Sequence, residues 1–230
     1  MNYYFNIVFP FLIAILLILP GARYSFGGEQ KYHPLKSYTI KYRIEGNSTG
    51  EKTEYSGDWG RTLCWIENSE TQLPNGGTLK INEKVITKIE GENQWIIKIN
   101  LADNTGTRMK NPIFAEIYKK IKGKDPKEFS REFMTNMGAK RIGEKVVDGE
   151  KCSEWQIGEG ATTCITDDVV RLESSLVLDK DDKDKVSISE TATEVMRNSP
   201  DPLGICETGT ASITEMTDMS EQTNKEIKVE

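Results

Sequence analysis

Apolar and polar positions begin to alternate near residue 36. Tyr38, Ile40, Tyr42 and Ile44 are separated by polar neighbours, the pattern of a strand buried on one face. Glycines within 46–50, 57–60 and 76–77, and at 91, punctuate further runs over 51–56, 61–68, 78–89 and 94–101. The last run sets Trp95, Ile97 and Ile99 on one face. Glycine-rich turns between short strands predict an antiparallel meander for the first half.

After Gly106 the period lengthens. Asn111 stands as a cap and Pro112 at the first helical position, ahead of Ile113, Ile117 and Ile121, with Phe114 and Tyr118 beside them and Gly123 as the stop. A second helix is predicted at once: Asp125 caps, Pro126 follows, Glu128 has capping-box spacing, and Phe129, Phe133 and Met137 form the apolar stripe before Gly138. Strands resume near 140 and continue over 151–157, 161–166, 169–178 and 186–195, the last two joined by a charged tip at 179–185. The reading is a mainly β, α+β domain over 28–206 with two inserted amphipathic helices. The polar residues 207–230 read as a disordered tail, its beginning pinned by Cys206.

The N-terminus adds a compartment. Residues 5–19 are apolar apart from Asn6 and Pro10, and Pro20, Gly21 and Ala22 follow. This is the core and breaker of a secretory signal spanning 1–27, with cleavage expected after Ala22 or Gly27. A run of about 15 apolar residues falls short of the roughly 20 that cross a bilayer as a helix. A periplasmic or secreted protein with no stable membrane span is therefore expected. The chain is only 37% hydrophobic, lean against typical usage, which suits a sheet curved around a cavity or exposed on one face. With 30 basic and 36 acidic residues and a formal charge of −6, it lacks the basic surface that nucleic-acid binding requires.

All four cysteines, Cys64, Cys152, Cys164 and Cys206, follow the signal, and an even count in an oxidising compartment predicts disulfides rather than a metal cluster. No C-x-x-C occurs and His33 is the single histidine, so no zinc site is expected. The hairpin around Gly158-Glu159-Gly160 leaves two registers open. An even loop puts Cys152 and Cys164 on opposite faces. A three-residue loop sets Glu154 opposite Cys164 and makes the two sulfurs diagonal neighbours, leaving Cys64 for Cys206.

Candidate chemistry is sparse. Gly46-Asn47-Ser48-Thr49-Gly50 has the G-x-S-x-G form, but it joins two strands, and His33 precedes the serine where that hydrolase class supplies histidine late. A turn is the expected reading, and neither enzyme activity nor a cofactor is expected. Asn47 also heads a glycosylation acceptor triplet. Asp179, Asp181, Asp182 and Asp184 crowd one loop, but interleaved lysines and the missing EF-hand glycine and glutamate favour a solvated tip over a calcium site. Trp59, Trp65, Trp95, Phe114, Tyr118, Phe129, Phe133 and Trp155 either line a pocket for an apolar guest or form the core.

Residues 137–143, Met-Gly-Ala-Lys-Arg-Ile-Gly, followed by Val146-Val147-Asp148-Gly149-Glu150-Lys151-Cys152-Ser153-Glu154-Trp155, resemble a stretch of bacterial LolA-like periplasmic proteins. There a glycine-bounded strand leads to V-x-G-x-x-C and an aromatic. Thr107-Arg108-Met109-Lys110-Asn111-Pro112 is similar to the same group. The resemblance covers most of 36–206. It implies a curved antiparallel sheet, an incomplete barrel, whose helices plug the open mouth over a hydrophobic cavity. The implied function is non-enzymatic binding of a lipid, an acylated protein or another apolar ligand. Trp65, Trp95, Phe114, Tyr118, Phe129, Phe133 and Trp155 are then the candidate cavity residues. The alternative is an interaction or sensing module that contacts another envelope protein without a small ligand.

Overall fold

The computed structural model describes residues 30–73, 76–178, 186–200, 202 and 204–216. The expected signal segment and the aspartate-rich tip at 179–185 lie outside them. Among the described residues, twelve strands form one sheet in the order β12-β6-β5-β4-β3-β2-β1-β11-β10-β9-β8-β7. The first half runs β1 (Tyr38–Gly46), β2 (Ser48–Gly57), β3 (Thr62–Gln72), β4 (Thr78–Glu90), β5 (Asn93–Asn100) and β6 (Thr105–Lys110). Each strand pairs antiparallel with the one before it. The second half runs β7 (Lys140–Val147), β8 (Glu150–Ile157), β9 (Ala161–Ile165), β10 (Arg171–Leu178) and β11 (Val186–Arg197). It folds back so that β11 pairs with β1. The edge strands β12 (Ser212–Met216) and β7 do not pair with each other, and the sheet stays open as an incomplete barrel.

Two turns explain the tight hairpins. Gly46 takes a φ of +108°, and a Cβ there would meet the Ser187 carbonyl oxygen at 2.0 Å, so only glycine permits the approach of β11. The adjoining Asn47 is stitched on both sides: its N–H and side-chain oxygen bond Ser187, and its carbonyl accepts from Gln72. The second turn, at 58–60, is left-handed throughout, with Asp58 and Trp59 as well as Gly60 at positive φ.

The two helices, α1 (Phe114–Ile121) and α2 (Pro126–Asn136), join β6 to β7. Asp125 caps α2 as expected, accepting from the backbone N–H groups of Lys127 and Glu128. The start expected for α1 is shifted: Pro112 and Ile113 precede the helix, and the Asn111 side chain accepts from the Ile113 N–H.

The expected tail at 207–230 is corrected in part. Ser212–Met216 pairs parallel to β6, which makes the sheet mixed, and residues 217–230 lie outside the described ones. Cys206 anchors this return through its disulfide to Cys64, and the second disulfide joins Cys152 to Cys164. Glu154 opposes Cys164 across β8 and β9, the register of the three-residue loop. Paired cysteines of this kind belong to an oxidising, non-cytoplasmic compartment, and no described helix is long and apolar enough to cross a membrane.

Candidate functional site: a helix-covered apolar layer above a charged interior

Register assigns each strand residue to a face. Trp65 opposes Val85, which shares its side of β4 with Ile89 by alternation. Ile89 packs with the helices, so this is the inner, helix-bearing face. Cys64 opposes Ile86, which opposes Ile97. Together with Cys206 and Ile99 they form an apolar cluster on the outer face, against which Ala211 and Ile213 pack.

The helices turn their stripes onto the inner face. Phe114, Ile117, Ile121, Phe129, Phe133 and Met134 are buried with Ile89 and Ala139, and Tyr118, Trp155, Ile157 and Ile165 pack against them. Each large side chain removed from water in this way contributes about 1.5–3 kcal/mol. Five of the seven expected cavity residues, Phe114, Tyr118, Phe129, Phe133 and Trp155, thus meet in one layer. Trp65 shares the face but lies within reach of a cation, with the Lys52 Nζ 5.9 Å from its ring. Trp95 belongs to the other face. It opposes Lys88 and Lys110 and stacks under the Arg108 guanidinium at 3.9 Å. The alternation of Trp95, Ile97 and Ile99 is as expected, but the apolar contact for that side comes from the returning C-terminal segment.

The layer meets solvent at a cleft of about 50 Å³ beside α2. Met134, Trp155, Ile165 and Val169 supply its apolar lining, while Lys127, Arg131, Ser130 and Asp167 supply its polar atoms. Ligand pockets typically measure roughly 300–1,000 Å³. Among the described residues, the space beneath the helices is occupied by the packed side chains of the layer itself.

A strap formed by residues 30–36 ties the helices to the sheet. Gln30 accepts from the Gly123 N–H, and the Tyr32 ring lies 6.4 Å from that of Phe114. Burial, with Tyr118 nearby, pushes the Tyr32 phenol up to about 12. The Trp59 carbonyl accepts from the N–H groups of both Tyr32 and His33. His33 accepts the Leu35 N–H at Nδ1, which leaves the proton on Nε2, 3.2 Å from the Val169 carbonyl oxygen. Its imidazole is held below the usual histidine range by burial.

Away from the helices the inner face sets a charged network beside the buried apolar cluster of Tyr38, Ile40 and Tyr42. Lys52 on β2 binds both carboxylate oxygens of Glu190 on β11, at 2.8 and 2.7 Å. Arg171 reaches Glu190 at 2.9 Å and Glu54 at 3.6 Å, and the Tyr38 hydroxyl donates to Glu54 at 3.0 Å. Burial disfavours ionisation of Glu190, but Lys52 and Arg171 outweigh it and hold the carboxyl below its ordinary range. Glu67, directly opposite Lys52, is pushed up by burial although the Ser69 hydroxyl donates to it at 2.6 Å. This network escaped the sequence reading. Its signal was present in the alternation of Lys52, Glu54 and Ser56 opposite buried Tyr42, Ile40 and Tyr38, but charged residues in a strand read as its solvated side.

Ser48 is bonded to Thr71 at 2.7 Å, whereas the partners of His33 are Val169 and Leu35. The G-x-S-x-G match is therefore hairpin structure. No group of metal-ligating side chains occurs among the described residues.

No family model matches the chain, and no curated protein matches it. Among solved structures it is similar to an uncharacterized conserved protein from Thermus thermophilus, at 11% identity and a TM-score of 0.47, over 79% of this chain and 91% of that one.

Proposed function

We propose that the protein is a non-enzymatic, exported binder of an apolar group, a lipid or the acyl chain of another protein, and that α1 and α2 act as a displaceable plug over the inner face. The observation that carries this reading is the segregation of the interior. The large aromatic and aliphatic side chains of both helices are gathered in one layer, set apart from the Lys52–Glu190–Arg171 network and from the separate apolar cluster of Tyr38, Ile40, Tyr42 and Leu172. The LolA-like resemblance and the expected export signal support the same reading. Since the closed form is filled, a guest enters by displacing the helices, and its own burial offsets the exposure of Phe129 and Phe133.

The test is uptake of a fluorescent fatty acid by protein purified from a periplasm, with lipid extraction of the same preparation. The expected outcome is saturable uptake that weakens in Phe129→Glu or Phe133→Glu variants whose two disulfides have formed. Absence of both uptake and extracted lipid would overturn the reading.

One observation favours a second reading, contact with another envelope protein. On the edge strand β7, Ile142 and Val146 are 50% and 66% exposed, a row of open backbone groups with apolar side chains beside it. Under that reading, a partner captured by the wild type is lost on Ile142→Lys and Val146→Lys, and fatty-acid uptake is absent.

A further inference from the structure

The cleft beside α2 carries a more specific chemistry than an apolar layer requires. Lys127 and Arg131 stand four residues apart on α2 and both line it, so they share a helix face. Both are exposed and neither forms an ion pair with another described residue, whereas Lys124, just ahead of the helix, is held by Glu132 at 2.6 Å. Asp167 on the opposite bank is the single acidic group among the lining residues. The lining therefore carries two positive charges against one negative. Directly beneath lie Met134, which belongs to the buried layer, and Trp155 and Ile165, which pack on it. The far bank is Val169, a β-branched residue held at a φ of +66°, where such side chains are strained. Strain of that kind persists where surrounding contacts enforce it, and it is concentrated at functional sites. Here the Val169 N–H bonds the Thr166 carbonyl and the Val169 carbonyl faces His33.

We infer that this cleft receives the anionic head of a single-chain amphiphile, a fatty carboxylate in class, whose hydrocarbon follows Trp155 and Met134 into the layer beneath the helices. The inference rests on the apolar-guest reading above and adds the sign of the head group. The cleft, about 50 Å³, has room for a carboxylate, since roughly 10–15 Å³ on the same measure holds a water. The Arg131 guanidinium matches a carboxylate in a two-pronged geometry, and Lys127 adds a point charge one turn away. A cationic head would meet two like charges at the same place.

Three amphiphiles of equal chain length, a fatty carboxylate, the corresponding alcohol and the corresponding trimethylammonium, are titrated against the full mature chain and read by quenching of tryptophan emission or by displacement of a fluorescent fatty acid. The carboxylate is expected to bind about tenfold more tightly than the alcohol, the ratio that one charge-assisted hydrogen bond supplies. The ammonium is expected to bind least. In the doubly substituted Lys127→Gln, Arg131→Gln protein, the carboxylate and the alcohol should converge to within about twofold while the alcohol affinity stays unchanged; both side chains are exposed and their loss leaves the core intact. Equal binding of the three by the wild type, or a carboxylate preference that survives the double substitution, overturns the head-group inference alone. Failure of all three to bind overturns the apolar-guest reading and this inference together.

Discussion

Lys52 and Glu190 form a two-pronged salt bridge across β1, from β2 to β11, with their side chains 1% and 2% exposed. They stand diagonally rather than opposite, since β1 sets Tyr42 against Lys52 and Ile44 against Glu190. The bridge joins the two halves of the sheet at the strand pair where they meet. Removing the Glu190 carboxylate leaves Lys52 buried and unpaired, whereas Glu190 without Lys52 keeps Arg171 at 2.9 Å. Glu190→Gln is accordingly expected to cost about 3–5 kcal/mol in urea denaturation, and replacing both Lys52 and Glu190 by Met to cost less than that single change. Arg171, which loses Glu190 in the double variant, has Glu54 as its other carboxylate, 3.6 Å away in the wild type. A double variant less stable than either single one would contradict this account.

Glu67 gives a pH dependence of the opposite sign to that of most carboxylates. Burial raises its pKa above the ordinary 4.5, so the folded state holds a proton that the unfolded chain releases. Its contribution favours folding below 4.5 and is lost as pH rises through the raised folded value. Glu67→Gln removes that loss. The stability difference between variant and wild type, measured by denaturant titration, should shift in favour of the variant as pH is raised from 4 to 8. A difference independent of pH would show that Glu67 titrates normally.

What was legible in the sequence follows from the range of the interaction that fixes each feature. Local signals held. The alternation of Tyr38, Ile40, Tyr42 and Ile44 marks a buried strand face, and Asp125-Pro126 marks the start of α2. Alternation also grouped Trp95 with Ile97 and Ile99, but it could not say which side of the sheet they occupy, because that is decided by the segment around Cys206 more than a hundred residues later. Lys52 reads as a solvated residue until Glu190, 138 positions away, is brought beside it. Ser212–Met216 is short, polar and parallel to β6, and it carries no periodic apolar signal of its own.

His33 supplies a second pH dependence, with the more usual direction for a buried histidine. Its folded pKa lies below the ordinary 6.5 because of burial, although Asp168 and Glu54 both favour the cation. Asp168 is itself paired with Arg197 at 2.5 Å, and the Tyr38 ring lies 4.8 Å from the imidazole. The neutral form is needed to accept the Leu35 N–H. Its contribution is fully present above about pH 6.5 and is lost as pH falls toward the folded value. His33→Asn should flatten the stability profile as pH falls below about 6.5. The protection of the Leu35 amide, taken relative to its intrinsic exchange rate at each pH, should fall below about pH 6.5 in the wild type.

The two disulfides differ in what they restrain. Cys152–Cys164 spans a sequence separation of 12 and closes one hairpin, whereas Cys64–Cys206 spans 142 and closes most of the domain. In the chain-entropy account the first contributes about 3 kcal/mol and the second about 5 kcal/mol. The second has a further consequence, because Cys206 draws in the segment whose Ala211 and Ile213 pack on the cluster of Ile86, Ile97 and Ile99. Without that anchor the parallel pairing of β12 with β6 depends on five residues of a polar strand. The Cys64→Ala, Cys206→Ala protein is therefore expected to lose more stability than the Cys152→Ala, Cys164→Ala protein, and to show fast amide exchange over 212–216. Equal losses in the two variants, with protection of β12 retained, would mean that strand pairing alone holds the C-terminal return in place.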